Sequence, residues 1–351
     1  MCFSGVYSAS SPQKNSDASG VSRLIFLYFS VMVCAILSIG VGRYTMSPGL
    51  ISDIFLSKIN LIEPYWDATL ETVVLNVRLP RILLAILVGG ALSVSGASYQ
   101  TLFKNPMVSP AILGVSAGAG FGAALAMIYN APWWLIQLSA FGFGLIAVLA
   151  AYLIAWIFGR QELTAMVLAG VIISSLFGAL LSILKLLADT DSALPSIVFW
   201  LMGSLGRGSN RDVLIMLPSL VISLGLLFLF RYQINALSAG EDEAATLGVN
   251  VRFIKPVVVL AATLMTVVSV SICGIVGWIG LVIPHLSRML VGANYPRLIA
   301  VSFGLGGLCL LLIDDMVRGL PGAELPLGVL TSLVGAPVFV LMLSRVRKGW
   351  L

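Results

Sequence analysis

The side chains able to do chemistry are few. The chain holds one histidine, His285, and four cysteines, Cys2, Cys34, Cys273 and Cys309. Metal or redox work needs ligands in clusters such as C-x-x-C or H-E-x-x-H, and these residues have no such spacing. No nucleophile elbow occurs either. His285 follows Pro284 at the end of an apolar run, so a turn or interface residue fits it better than a catalytic base does. Asp314 and Asp315 are adjacent carboxylates suited to ion coupling. Neighbours on a helix face different ways, so an ion pair or cap with Arg318 accounts for them better. No catalytic group and no metal site is assigned. No G-x-x-x-x-G-K-[ST] phosphate loop is present, so uphill transport would draw its energy from elsewhere.

Weakly polar residues form the other candidate site. Thr164, Ser175 and Ser182 lie 11 and 7 residues apart, near whole turns of a 3.6-residue helix. Leu168, Val171 and Gly178 share that face. A small, faintly polar stripe suits a wide path that must not hold its cargo tightly, and it equally suits plain helix packing. Residues 231–255 are the one strongly polar interior stretch. They carry Glu241, Asp242 and Glu243 in a row, between Arg231 and the pair Arg252 and Lys255. The sequence predicts a short surface helix here, with Gly248 as its stop.

The elements that must position these residues lie in lipid. Of 351 residues, 59% are hydrophobic and 10% charged, and the mean hydropathy is +1.05. A soluble domain averages about 25% charged residues. The chain is therefore an all-α polytopic membrane protein, because lipid offers the backbone no partners and a helix satisfies its own. The net charge of +5 comes from basic residues standing singly at span ends, which speaks against nucleic acid.

Runs of about 20 apolar residues predict ten spans. They cover residues 21–41, 82–102, 111–129, 134–157, 163–187, 212–230, 254–273, 275–290, 298–313 and 326–344. Residues 1–20 read as a disordered cytoplasmic tail, and 21–351 as one transmembrane domain. Residues 43–77 read as an external loop and Gly159–Glu162 as a polar turn. Residues 194–205 read as a helix too short to span. With the N-terminus inside, 12 Lys and Arg lie in the cytoplasm and 8 outside, out of 20 in the chain. Both termini are then cytoplasmic, as is 231–255. Spans two to five and seven to ten enter from opposite sides, the pattern of an inverted repeat.

Ordered Gly, Pro and charged positions carry a family resemblance over residues 70–347. They include Arg78-Leu79-Pro80-Arg81, Asn105-Pro106-x-x-x-Pro110, Leu113-Gly114-Val115-Ser116, Trp200-Leu201-Met202-Gly203-Ser204 and Leu247-Gly248-Val249. Further on come Ile279-Gly280-Leu281-Val282-Ile283-Pro284-His285-x-x-Arg288 and Glu324-Leu325-Pro326-x-Gly328. The chain resembles the permease subunits of type II ABC importers, the FecCD family of vitamin B12, ferric-siderophore and haem permeases. The resemblance implies a homodimer of ten-helix chains in the bacterial inner membrane, with the cargo path between the copies. That path would run along Thr164, Ser175 and Ser182. A cytoplasmic gate would lie at Asn105, Pro106, Met107 and Thr164. Two ATPase subunits, which alone bind ATP and Mg, would couple through residues 236–249, at Gly240, Glu241, Ala244, Leu247 and Gly248. Whether the acidic run grips the ATPase or caps a helix stays open. A periplasmic binding protein would dock its carboxylates on Arg78, Arg81 and Arg318, and His285 and Arg288 would pack toward the coupling segment. The implied cargo is an iron chelate, haem, cobalamin or molybdate. An ion-gradient-driven secondary transporter is the alternative, and a membrane enzyme lacks candidate catalytic groups.

Overall fold

A computed structural model describes residues 13–42, 44–159, 163–320 and 325–346. Its helices in chain order are α1 (Gln13–Gly40), α2 (Pro48–Lys58), α3 (Ala68–Thr72), α4 (Leu79–Leu102), α5 (Val115–Ile128), α6 (Trp133–Gly159), α7 (Leu163–Leu187) and α8 (Ala193–Leu201). They continue with α9 (Asn210–Leu229), α10 (Arg231–Ala239), α11 (Glu241–Thr246), α12 (Val251–Cys273), α13 (Ile279–Val291), α14 (Tyr295–Gly319) and α15 (Leu327–Val346). Among the described residues, 7 helices are long and apolar enough to cross a membrane: α1, α4, α6, α7, α9, α12 and α14. Three shorter apolar helices, α5, α13 and α15, fall on the remaining predicted spans.

Two helices stand at the centre. In their most apolar windows, the α4 segment is 83% buried and α12 is 78% buried, against 22% for α7. The packing around them repeats. Just as α4 lies on α13 and α14, α12 lies on α5 and α6. Then α5 packs on α6 and α7, as α13 packs on α14 and α15. The packing of spans two to five is thus repeated by spans seven to ten. The second member of each half is short, with 14 residues in α5 and 13 in α13. Each is entered through a non-helical approach, a 3-10 turn at Pro110–Leu113 before α5 and the segment 274–278 before α13.

Glycine sets the spacing at the centre, since lipid-embedded helices gain most from close backbone contact. Gly89 of α4 and Gly306 of α14 lie backbone to backbone. Gly96 of α4 sits against the carbonyl of Gly280 in α13, where any side chain would collide. Pro284 stands four residues after Gly280 and has no N–H, so it leaves that same carbonyl without its helical donor. The Cα of Gly96 therefore covers an oxygen that its own helix does not satisfy. Hydroxyls tie α4 to α12. Ser95 Oγ reaches Thr266 Oγ1 at 2.7 Å, and Tyr99 Oη reaches Thr263 Oγ1 at 2.8 Å.

Several boundaries differ from the sequence reading. Residues 13–20, expected in a disordered tail, form the first turns of α1. Lengthening an existing helix needs no new nucleus. Residues 1–12 lie outside the described residues, as do Arg43, Arg160–Glu162, Pro321–Glu324 and 347–351, so most of the predicted polar turn lies outside them too. The expected external loop at 43–77 contains α2, whose Ser47 hydroxyl accepts from Leu50 N, and α3, capped by Asp67. From α3 a π-helical turn, Val73–Arg78, runs without a break into α4. The short helix at 194–205 ends at Leu201, because Gly203 turns the chain at φ 74°.

Substituting Gly96→Leu is expected to force α4 off α13, at a cost of about 3 kcal/mol or more. A thermal-unfolding scan in detergent checks this. An unfolding temperature equal to that of the parent chain would refute the contact.

Candidate functional site

The predicted stripe on α7 is uncovered. Thr164, Ser175 and Ser182 are exposed, with Leu168, Val171, Ile172 and Leu176 beside them, while Met166, Ala169, Ile173 and Phe177 face the core. Ser175 Oγ donates to Val171 O at 2.9 Å, and Ser182 Oγ donates to Gly178 O at 3.0 Å. Each hydroxyl thus spends its proton on its own helix, and the face offers lone pairs and small apolar surface. After α7, Asp189 Oδ1 accepts from the N–H groups of Asp191 and Ser192, both at 2.9 Å, and so fixes the turn into α8. The bond from Asp191, aided by the Ser192 contacts, holds this carboxyl below its ordinary range. At its other end α8 is clamped. Gly203 O accepts from Leu327 N at 2.9 Å, and Ser204 N donates to Cys273 O at 2.7 Å. The first turn of α15 and the last turn of α12 therefore both hold the α8 turn.

The predicted gate residues Asn105, Pro106 and Met107 form an exposed turn after α4, at the opposite end of the bundle from α8. Asn105 Oδ1 accepts from Met107 N at 2.8 Å. The chain then enters the 3-10 turn, which nests on Gly170 and Ile173 of α7. The turn and the start of α7, where Thr164 lies, thus share one support. Before them, Lys104 takes φ 48°, and its ammonium donates to Ala239 O at 3.2 Å, at the end of α10. Sequence reasoning missed Lys104, because a lone lysine at a span end reads as a membrane-edge charge.

The polar stretch 231–255 holds two short helices where the sequence pattern predicted one. They part at Gly240, where a Cβ would strike the Glu243 carboxylate. Gly248 takes φ 80° beyond α11, the predicted stop. The acidic run divides. Glu241 pairs with Lys255 of α12 at 2.6 Å, Glu243 folds over Gly240, and Asp242 is exposed. Of the predicted coupling residues, Gly240 and Ala244 are buried and Gly248 is exposed. Leu247 is 72% exposed, an apolar side chain at the tip of the segment. Behind it, Asn235 Oδ1 accepts from Tyr295 N at 2.8 Å, joining α10 to α14. Arg288 turns toward the end of α4, bonding Gln100 Oε1 at 2.9 Å, and not directly to the coupling helices as expected.

The three arginines expected to dock a partner's carboxylates are committed inside the chain. Arg78, Arg81 and Arg318 are 4%, 5% and 7% exposed. Arg81 holds Asp314 through Nε at 3.0 Å, and Arg318 Nε lies 3.0 Å from the same carboxylate. Arg318 also pairs with Asp315 and bonds Ser38 Oγ. Arg78 donates to Ile39 O at 2.6 Å and to Tyr44 O, and Arg318 donates to Ser38 O at 3.2 Å. Their forks satisfy the last carbonyls of α1, which a helix leaves unpaired. In this structure the three side chains are thus buried and turned inward, and no open docking surface is seen at them. Asp314 and Asp315 do join one cluster, since Arg318 stands four and three residues on and reaches both.

Comparison with known proteins supplies a family. The FecCD transport family matches residues 30–345. The molybdate import system permease protein of Haemophilus influenzae is 38% identical over 330 residues, 93% of this chain and 97% of the relative. The hemin transport system permease protein of Yersinia pestis is 40% identical over 282 residues, 78% of this chain and 84% of the relative. A solved inward-facing structure of a metal-chelate type ABC transporter superposes with a TM-score of 0.81 at 36% identity. It covers 92% of this chain and 99% of that one.

Replacing Asp314→Ala would leave two buried guanidinium groups short of their shared anion, at a cost of about 3–5 kcal/mol. Chemical unfolding in detergent measures the loss. Retained stability would show that the cluster is hydrated and slack.

Proposed function

The chain belongs to the FecCD transport family, and on that premise we propose that two copies of it enclose a path for an iron chelate or related cargo. It is a permease subunit of an ATP-driven importer, a multi-span membrane transporter and not an enzyme. The observation that carries the proposed path is the uncovered face of α7, with Thr164, Ser175 and Ser182 in a row. Hydroxyls whose protons are already spent let a polar solute pass without gripping it. The cargo is a ferric siderophore or haem, or a relative such as cobalamin or molybdate, handed over by a separate binding protein. Binding-protein docking is not assigned to the three buried arginines.

The ATPase contact is proposed at residues 236–249, with Leu247 as the anchor and Gly240, Glu241, Ala244 and Gly248 shaping the segment beneath it. ATP and Mg belong to those ATPase subunits, because this chain has no phosphate loop. The gate is proposed at Asn105, Pro106, Met107 and Thr164, with Lys104 tying its turn to α10. The membrane is a bacterial inner membrane with both termini in the cytoplasm, supported by the Lys and Arg excess on that side. Ion coupling through Asp314 and Asp315 is disfavoured, since both carboxylates are held in ion pairs.

Proteoliposomes containing this chain and its ATPase are expected to accumulate cargo on ATP addition and not under a proton or sodium gradient alone. Gradient-driven uptake without ATP would make it a secondary transporter. Leu247→Glu is expected to weaken ATPase association about ten- to hundredfold, the worth of one buried leucine, as read by co-purification. Lys104→Ala is expected to leave assembly intact while raising the ATP hydrolysed per cargo moved, with Lys104→Arg restoring the ratio. An unchanged ratio in Lys104→Ala removes the tie from the mechanism.

A further inference from the structure

Over α12, α6 and α9 stand apart and leave a groove of about 480 Å³. That size lies in the range of single-ligand sites. Along α9 it is lined by Arg211, Ile215, Ser219 and Ile222, which share one helical face. From Arg211 to Ile222 is 11 residues, a rise of roughly 16 Å. That is about half the ~30 Å hydrocarbon core, so the groove runs from one membrane edge to the midplane. Its walls deeper down are apolar, with Leu138 and Phe141 from α6. Its floor is closed where Ser219 Oγ donates to Leu264 O at 3.3 Å. One leaflet's acyl chain has this length and chemistry.

The mouth of the groove is cationic. Arg211 lies in the first turn of α9, exposed, and makes no ion pair among the described residues. The neighbouring carboxylate of Asp212 is turned inward and occupied by Gln137 Nε2 at 2.7 Å and by Ser209. Trp134, 52% exposed, stands beside the mouth at the depth where indoles meet headgroups. An uncompensated guanidinium group above an apolar slot matches a phosphate ester joined to a hydrocarbon tail.

We propose that this groove is a binding site for one anionic phospholipid, with its phosphate on Arg211 and one acyl chain between α6 and α9. Under the proposed orientation the lipid belongs to the outer leaflet. The site is separate from the cargo path and stands whatever the cargo is.

The test uses the full chain reconstituted in equal parts phosphatidylglycerol and phosphatidylcholine, gently extracted, with retained lipids counted by native mass spectrometry. Phosphatidylglycerol is expected to be enriched several-fold over phosphatidylcholine, with at least one copy per chain. Arg211→Gln is expected to lower that enrichment about fivefold, the effect of roughly one surface cation, without changing the unfolding temperature. Ile215→Trp, which fills the slot, is expected to reduce retention of both lipids. Lipids retained in the bulk ratio would overturn the proposal, as would enrichment unchanged in Arg211→Gln. Absence of any retained lipid, because a second copy of the chain seals the groove, would overturn it as well.

Discussion

Everything in this chain depends on α4 and α12 being able to touch. Both lie where lipid cannot supply a hydrogen bond, so every polar group on them must find a partner within the protein. Ser95 and Thr266 provide that at 2.7 Å, and Thr266 also back-bonds to Ala262 O. The contact fixes the axis about which the two halves repeat. Helices α5 and α6 gather on α12, and α13 and α14 gather on α4. What is left on the outside, above all one face of α7, is what the innermost pair does not use.

The two ends of the bundle are held differently. At the α8 end, Arg81, Arg318, Asp314 and Asp315 form a buried charged knot that also fastens the end of α1. At the α10–α11 end the coupling segment is held by separate, spaced ties: Lys104 to Ala239 O, Asn235 to Tyr295 N, Glu241 to Lys255. Dense, desolvated ion pairs resist displacement, whereas isolated bonds near the surface yield at small cost. An importer driven from one end needs this asymmetry, with a segment that moves when pushed and a far end that keeps its shape.

Much of this was legible in the sequence, for physical reasons. The spans were readable because twenty apolar residues in a row have one stable fate in lipid. The repeat was readable from the order of spans, although the halves share little residue identity. The stripe on α7 was readable because its spacing matches whole turns. The fate of the arginines was not. A span-end Arg looks the same in sequence whether its fork faces a partner or caps a neighbouring helix, and the Ile39 carbonyl of α1 lies 39 positions before the Arg78 that caps it. The acidic run was opaque for the same reason. Glu241, Asp242 and Glu243 are alike in type, and only the approach of Lys255 and the break at Gly240 separate their roles.

The contact between Gly96 and the Gly280 carbonyl has a mechanical consequence. Most helix pairs interlock, so sliding one along the other means lifting side chains over ridges. Here bare backbone meets bare backbone, at a carbonyl freed by Pro284, while Gln100 and Arg288 bond across the same pair of helices about one and two turns further on. The bare contact lets the two axes approach, and those bonds fix the register along them. The short helix α13 is thereby mounted on the most buried helix of the protein by a contact that sets its distance and by two side chains that set its position.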